Sequence, residues 1–210
     1  VIGIDSSTTS TKALVVDATG LVLAQGKAEF AMQTPRVDFY EQDPRDWWRS
    51  TNDAVAQAVA ALSAADRARI THLCATIQRQ TFTLVDAKGE PLRPGILWLD
   101  GRAADQVRRF GTEHIHQLTG FQPDVTPSVY KMAWLRDNEP ENFARLATML
   151  LPHDYATYRL TGAFATASWR RTLYPLRASR AASSKLSAIV APKRRERTMF
   201  SITRASSGEA

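Results

Sequence analysis

Short apolar runs alternate with turn-forming residues at the start of the chain. Residues 1–17 hold the apolar run VIGID, the hydroxyl-rich run SSTTST and a second apolar run, KALVVD. The turn sequence Asp-Ala-Thr-Gly occupies 17–20, with a glycine where a positive φ is favoured. Because a third apolar run, LVLAQGKAEF, comes next, the pattern predicts three antiparallel strands joined by two hairpin turns.

A helical period replaces the strand pattern after residue 42. Asp43-Pro44 predicts a helix start, because a carboxylate caps the N-terminus of a helix and proline fits its first turn. Apolar residues then recur at three- and four-residue spacing from Trp47 to Leu62. This spacing predicts a helix with one packed face.

Strands and helices alternate through the rest of the chain up to residue 168. In chain order the pattern predicts strands over 70–77 and 81–86, an extended piece at 96–98, helices over 102–118, 128–138 and 141–146, a buried strand over 148–151, and a helix over 153–160 that ends at Thr161-Gly162. Such alternation is typical of an α/β layer architecture.

Charge divides the chain into a near-neutral body and a basic tail. Residues 1–169 carry 17 Lys and Arg against 19 Asp and Glu, a net charge of −2. Residues 170–210 carry 10 against 2, a net charge of +8. The basic pI of 9.8 for all 210 residues therefore comes entirely from the tail.

The sequence predicts that residues 169–210 form a basic, disordered tail. The segment has neither a helical nor a strand period, and it buries too little apolar surface to offset the cost of ordering its backbone. Three origins are open: a basic arm for nucleic acid or acidic lipid that uses KRRER at 193–197, a natural extension without function, or a shifted reading frame after Ser168. We favour the third and expect no nucleic-acid binding, because basic runs arise by chance in Arg-rich coding sequence.

Several classes of protein are excluded by composition. The sequence has no apolar run of eighteen residues, which excludes a membrane-spanning helix, and no basic-then-apolar leader. The single cysteine, Cys74, excludes an intramolecular disulfide and a cysteine-based zinc site. The four histidines lack metal-ligand spacing. We therefore expect a cytoplasmic protein.

The segment GIDSSTTSTK (3–12) is the first candidate site. An aspartate at the end of a buried strand is costly unless a cation or hydrogen bonds compensate its charge. The neighbouring hydroxyls, the backbone N–H groups and the Lys12 ammonium suit phosphate oxygens. Asp5 could then hold hydrated Mg²⁺ beside a nucleotide. The alternative is a serine- and threonine-rich hairpin without a ligand, in which Asp5 makes a turn hydrogen bond.

Two further segments carry candidate ligand contacts. In TIQRQTFTLVD (76–86), Gln78, Arg79 and Gln80 lie between two strands, either converging on the hydroxyls of a ligand or solvated in a loop. In ILWLDGRA (96–103), Trp98 stacks on the apolar face of a sugar or belongs to the core. Asp100 and Arg102 of the same segment form either part of a site or a structural ion pair of little energetic weight.

Five segments occur in the order found in the FGGY family of carbohydrate kinases. They are GIDSSTTSTKALVVD, VDFYEQDPRDWW, LVDAKGEPLRPGILWLDGRA, SVYKMAWLRDNEPENF and DYATYRLTGAFATAS. Over residues 1–168 the chain resembles the amino-terminal domain of the pentulose kinases in this family. The resemblance implies a ribonuclease-H-like (actin-like ATPase) α/β fold, with a mixed sheet that opens with antiparallel strands and is flanked by helices. It also implies transfer of the γ-phosphate of ATP, with Mg²⁺, to a hydroxyl of a sugar or polyol.

The resemblance also implies site residues. Asp5 corresponds to the residue that organises Mg²⁺, and the phosphate-contacting hairpin corresponds to Thr8, Thr9, Ser10 and Lys12. Ser7 stands where the family usually has glycine. Gln78, Arg79 and Gln80 align with the trio that contacts the sugar, and Trp98 and Asp100 align with the wall on the sugar side.

The family's catalytic aspartate lies beyond the point where this sequence leaves the family pattern. The adenine pocket and the second phosphate loop lie there as well. The resemblance therefore implies that the 210-residue chain alone lacks kinase turnover, because it has no residue to take the proton from the attacking hydroxyl. A non-catalytic sugar-binding or interaction fragment is the alternative, and a homodimer is also open.

Overall fold

The computed structural model describes residues 1–165, so the predicted basic tail at 169–210 lies outside the described residues. The strands are β1 (Ile2–Ser6), β2 (Ser10–Val16), β3 (Val22–Glu29), β4 (Glu41–Gln42), β5 (Leu73–Ile77), β6 (Thr83–Val85), β7 (Gly95–Ile96) and β8 (Thr148–Leu150). The helices are α1 (Pro44–Ala60), α2 (Ala64–Ala68), α3 (Ala104–Phe110), α4 (Glu113–Thr119), α5 (Ser128–Asn138), α6 (Pro140–Arg145) and α7 (Pro152–Thr161).

A four-stranded mixed sheet in the order β3-β2-β1-β5 forms the main layer. β1, β2 and β3 are antiparallel neighbours, as the sequence predicts, and β5 adds to the far side of β1 in the parallel direction. Gly20 adopts a φ of 90° in the second hairpin turn, which confirms the reason for a glycine there. The apolar runs and the turn residues between them are therefore sufficient to predict both hairpins.

Helix α1 packs across one face of this sheet. Its N-cap is Asp43, whose carboxylate accepts from Arg45 N at 2.9 Å, and Pro44 begins the first turn as predicted. The fully buried Ala54 and Ala58 pack with Ile4 and Ala13 of the sheet. Small side chains here let the helix approach the strands closely, which fixes the orientation of the first hairpin.

Two small sheets extend this core towards the other end of the chain. β4 pairs with β7 and β6 pairs with β8, both antiparallel. A second apolar cluster, which includes Phe82, Leu84, Ile96 and Leu135, packs between these strands and helix α5. Residues 97–102 follow β7, and Trp98 in this segment reaches Thr8 of the first hairpin.

The differences from the predicted elements include the two-residue strand β4, which was not predicted. The helix expected over 102–118 is two helices, because the chain breaks at Gly111 and Thr112 starts α4 by capping Ile115 N. The short helix α2 was not predicted, although Ser63 caps it through a bond to Asp66 N at 3.1 Å. The predicted range 128–138 for α5 is confirmed, since Pro140 ends it.

None of the helices in residues 1–165 is long and apolar enough to cross a membrane.

Candidate functional site

Ser7 closes the turn between β1 and β2 through hydrogen bonds with Ser10. Ser7 N and Ser7 Oγ both donate to Ser10 O, at 2.9 and 2.8 Å, and Ser7 Oγ accepts from Ser10 N at 3.3 Å. Ser10 is buried, so of the predicted hairpin contacts only Thr8, Thr9 and Lys12 keep accessible side chains. The predicted phosphate contact at Ser10 is therefore not one for its buried side chain.

Asp5 lies on the open face of the sheet. Strand β1 alternates, with Ile4 and Ser6 buried towards α1 and Asp5 exposed between them. Its neighbour across the strands is Lys12, also exposed. The expected burial cost at Asp5 is therefore absent, and its carboxylate is accessible to a ligand on the same face as the Lys12 ammonium.

Gln78 faces inward, away from the surface. Its backbone N donates to Ser6 O at 3.1 Å, which joins the end of β5 to the first hairpin. Its Nε2 donates to Gln42 Oε1 at 3.1 Å, and Gln42 Nε2 in turn donates to Thr8 O at 2.5 Å. Gln78 therefore supports the hairpin from behind through its backbone N–H and its Nε2, while its Oε1 has no hydrogen-bond partner among the described residues.

Gln80 caps a distant helix. It holds a left-handed φ of 61°, and its Oε1 accepts from both Ser128 N and Ser128 Oγ at 2.9 Å. Pro127, at the N-cap of α5, has no side-chain oxygen, so Gln80 supplies the missing acceptor. The side-chain oxygen of Gln80 is thus occupied by hydrogen bonds to Ser128. In the predicted trio, Arg79 is the residue with an exposed side chain.

Trp98 lies beside the first hairpin. Its backbone N donates to Thr81 Oγ1 at 3.1 Å, and its indole Nε1 donates to Thr8 Oγ1 at 3.4 Å. The side chain is 43% exposed, so part of the ring faces solvent. An indole with an exposed face and an anchored edge can stack on the apolar face of a ligand.

Asp100 is fully buried and both its oxygens are engaged. Oδ2 accepts from Tyr40 N at 2.6 Å and from Arg102 Nη2 at 2.8 Å, and Oδ1 accepts from Arg102 Nε at 2.8 Å. The structural ion pair between Asp100 and Arg102 is confirmed, and it occupies the carboxylate that was predicted to line the sugar. The pair is buried rather than exposed, because the segment before β4 covers it.

The ion pair extends to Glu41, which accepts from Arg102 Nη2 at 2.6 Å. Burial alone would lower the pKa of Arg102, but hydrogen bonds and attraction from Asp100 and Glu41 outweigh it and raise the pKa above its ordinary value. The guanidinium also lies 4.1 Å from the centre of the Phe39 ring. This cluster fixes the backbone that carries Trp98.

Lys131 is a residue that the sequence reasoning missed. It is fully buried in α5, and its Nζ donates to the carbonyls of Leu97, Trp98 and Thr126 at 2.9, 2.8 and 3.1 Å. The available signal was a lysine set among apolar residues in SVYKMAWL, because lysine is almost never fully buried unless it is paired.

No group of three or more histidine, cysteine or acidic side chains is arranged for a metal within residues 1–165. The acidic group on the open face of the hairpin is Asp5. Mg²⁺ in nucleotide sites commonly keeps its waters and takes one or two carboxylates plus phosphates, so a single exposed carboxylate fits such a site.

Residues 1–169 match the N-terminal domain of the FGGY family of carbohydrate kinases, and the chain belongs to that family. Proteins similar to this chain include xylulose kinases. The xylulose kinase of Streptomyces coelicolor is 40% identical over 168 residues, covering 77% of this chain and 34% of that protein. The xylulose kinase of Bacillus subtilis is 32% identical over 170 residues, covering 79% and 34%.

Solved structures support the same assignment. The crystal structure of xylulose kinase from Rhodospirillum rubrum superposes with a TM-score of 0.74 at 30% identity, covering 77% of this chain and 34% of that one. The actin-like α/β fold expected from the resemblance is confirmed. The chain spans about a third of the length of the curated relatives it matches.

Proposed function

We propose that the chain is the amino-terminal, sugar-binding lobe of an ATP-dependent kinase of the xylulokinase type, whose substrate is a pentulose or a polyol. The observation that carries the proposal is the meeting of three separate segments at one end of the sheet. Trp98 Nε1 reaches Thr8 Oγ1 at 3.4 Å, and the segment bearing Arg79 is tied to the same hairpin through Gln78 N and Ser6 O at 3.1 Å.

The sugar side of this site consists of Arg79 and Trp98. Both side chains are exposed, whereas Gln78 faces inward and Gln80 caps a helix. A guanidinium offers a fixed fork of donors to neighbouring hydroxyls, and an indole face suits the C–H face of a sugar. This pairing favours a polyhydroxylated substrate without selecting one particular sugar.

The phosphate side consists of Thr8, Thr9 and Lys12, with Asp5 as the carboxylate for magnesium. The two threonines lie in the turn and offer hydroxyls, and Lys12 adds a positive charge on the open face of the sheet. When bound with ATP, Mg²⁺ would neutralise charge on the phosphate oxygens. Asp5 would hold its hydrated shell next to Lys12.

We expect the 210-residue chain to bind sugar without phosphorylating it. Phosphoryl transfer to a hydroxyl requires a base at that hydroxyl, and Arg79 and Trp98 cannot take a proton. Asp100, two residues after Trp98, is fully buried and bonded on both oxygens, and the exposed carboxylate of Asp5 is the one assigned above to magnesium. An ADP-release assay with D-xylulose should therefore stay at background, and clear turnover would contradict this expectation.

Isothermal titration calorimetry tests the sugar site itself. D-Xylulose, D-ribulose and glycerol are titrated in turn into the purified 210-residue chain. Saturable heat is expected with at least one of the three. No heat with any of them at millimolar concentration would overturn the proposed function of this lobe.

A further inference from the structure

The Lys131 ammonium joins two backbone segments that are far apart in sequence. Its three donors are all used, on Leu97 O at 2.9 Å, Trp98 O at 2.8 Å and Thr126 O at 3.1 Å. Leu97 and Trp98 follow β7, and Thr126 belongs to the loop that precedes α5. One buried charge thus ties both segments to helix α5.

The segment that Lys131 holds is the one that positions the Trp98 ring. The N–H of Trp98 donates to Thr81 Oγ1 at 3.1 Å, and the N–H of Leu97 donates to Tyr40 O at 3.1 Å. Lys131 donates to the carbonyl oxygens of the same two residues. With these N–H and carbonyl groups held, the indole reaches Thr8 Oγ1 on the first hairpin.

Stability alone does not explain a charge at this position. Burying an ammonium costs free energy, and replacing a buried charge with an apolar side chain of similar size is often neutral or stabilising. The charged groups that face Lys131 are Asp100, Arg102 and Asp124. Asp100 is already bonded to Arg102 and Tyr40, so the acceptors of Lys131 are the three carbonyls.

We propose that Lys131 is a positioning residue for the sugar side of the site, because its ammonium clamps the carbonyls of Trp98 and Thr126 and so fixes the Trp98 indole beside Thr8. The role in sugar binding rests on the function proposed above. The placement of the indole can be measured without any sugar.

Proton loss from Lys131 gives the clamp a measurable signature. A neutral amine has two N–H donors for three carbonyls, so one bond to the backbone is lost. The pKa of Lys131 is lowered to about 8, chiefly by burial; Asp100 and Asp124 oppose this shift, and Arg102 contributes to it. The environment of the Trp98 ring therefore changes in this pH range.

The experiment follows Trp98 by ¹⁹F NMR in the full chain labelled with 5-fluorotryptophan. Trp98→Phe assigns the resonance. The Trp98 signal should shift with a midpoint near pH 8. Lys131→Met should abolish that step, and Lys88→Met, which alters an exposed lysine, should retain it.

Sugar affinity supplies the second measurement. Lys131→Met should weaken binding of the sugar that the wild type prefers by on the order of tenfold, while Lys88→Met leaves it unchanged. If the Trp98 resonance shows the pH-dependent step but no variant binds sugar, the proposed function is overturned, whereas the role of Lys131 in holding Trp98 is not.

Two results would overturn the clamp. One is a Trp98 resonance that stays constant while Lys131 in the intact chain loses its proton, which the ¹³C shift of its Cε follows; this test needs no change at Lys131 and holds even where Lys131→Met does not fold. The other is an unchanged titration step in folded Lys131→Met.

Discussion

Trp98 Nε1 donates to Thr8 Oγ1 at 3.4 Å, across ninety residues of sequence. Thr8 lies in the turn between β1 and β2, and Trp98 lies just after β7. The contact brings the hairpin proposed for phosphate next to the ring proposed for sugar. A kinase needs these two ligands side by side, because the acceptor hydroxyl must meet the γ-phosphate in line.

Replacing Arg79 should weaken sugar binding without affecting the fold. Its side chain is exposed and lies one residue beyond the bond from Gln78 N to Ser6 O. Loss of a charged donor to sugar hydroxyls is expected to reduce affinity about tenfold. Calorimetry on Arg79→Ala measures the change, and Arg108→Ala on α3 is the matched control. Equal affinities for the two variants would contradict the role of Arg79.

Replacing Asp100 should destabilise the fold rather than only the site. Asp100→Asn removes the charge that faces the buried Arg102, and breaking a buried ion pair costs about 3 kcal/mol. Urea unfolding followed by circular dichroism measures the loss. Asp105→Asn, which alters an exposed pair with Arg108, should cost far less. Similar midpoints for the two variants would show that the buried pair is not a stabilising feature.

Stability should depend on pH through Lys131. Burial lowers the pKa of this residue to about 8 in the folded chain, against an ordinary value of 10.5. Between these pH values the unfolded chain binds a proton that the folded chain does not, so the free energy of unfolding rises with pH. The gain begins near pH 8 and reaches roughly 3 kcal/mol above pH 10.5.

Comparison with Lys131→Met isolates this contribution, because methionine does not titrate. Urea unfolding of both chains near pH 7 and near pH 10 should show the stability difference shifting in favour of the wild type at the higher pH. The same pH dependence in both chains would contradict the assignment to Lys131.

Gly26 should resist substitution because helix α1 crosses β3 there. A Cβ at this position would lie 2.1 Å from Ala54 O and 2.9 Å from Ala58 N, both backbone atoms of the helix. Gly26→Ala should therefore cost about 1–3 kcal/mol. Gly3→Ala in β1 is the matched control, since a Cβ there meets nothing within 4 Å. Thermal melts compare the two, and equal melting temperatures would refute the close approach.

The elements that could be predicted from the sequence are those with local signals. Asp43-Pro44 sets the start of α1, Gly20 sets a hairpin turn, and Pro140 ends α5 at the predicted residue. Each signal acts within a few residues, so neighbouring residues suffice to find it. The break at Gly111-Thr112 carried a signal of the same kind, a threonine cap, that the longer apolar pattern obscured.

The site residues were harder to predict, because their orientation depends on distant partners. The carboxylate of Asp100 accepts a hydrogen bond from Tyr40 N, sixty residues away in sequence. The side chain of Gln80 accepts one from Ser128 N, forty-eight residues away. Nothing near either residue indicates these contacts. For Asp5 the strand alternation was an available signal, because a buried Ile4 requires its neighbour to face the opposite side, but the sequence analysis expected a burial cost there instead.

NMR of the ¹⁵N-labelled chain titrated with D-xylulose tests most directly whether the hairpin, Arg79 and Trp98 form one site. The account predicts that the Trp98 indole N–H signal and the backbone amide signals of Arg79 and residues 8–10 shift together and fit a single affinity. Signals that do not move at millimolar sugar, or shifts confined to helices α3 and α4, would contradict it.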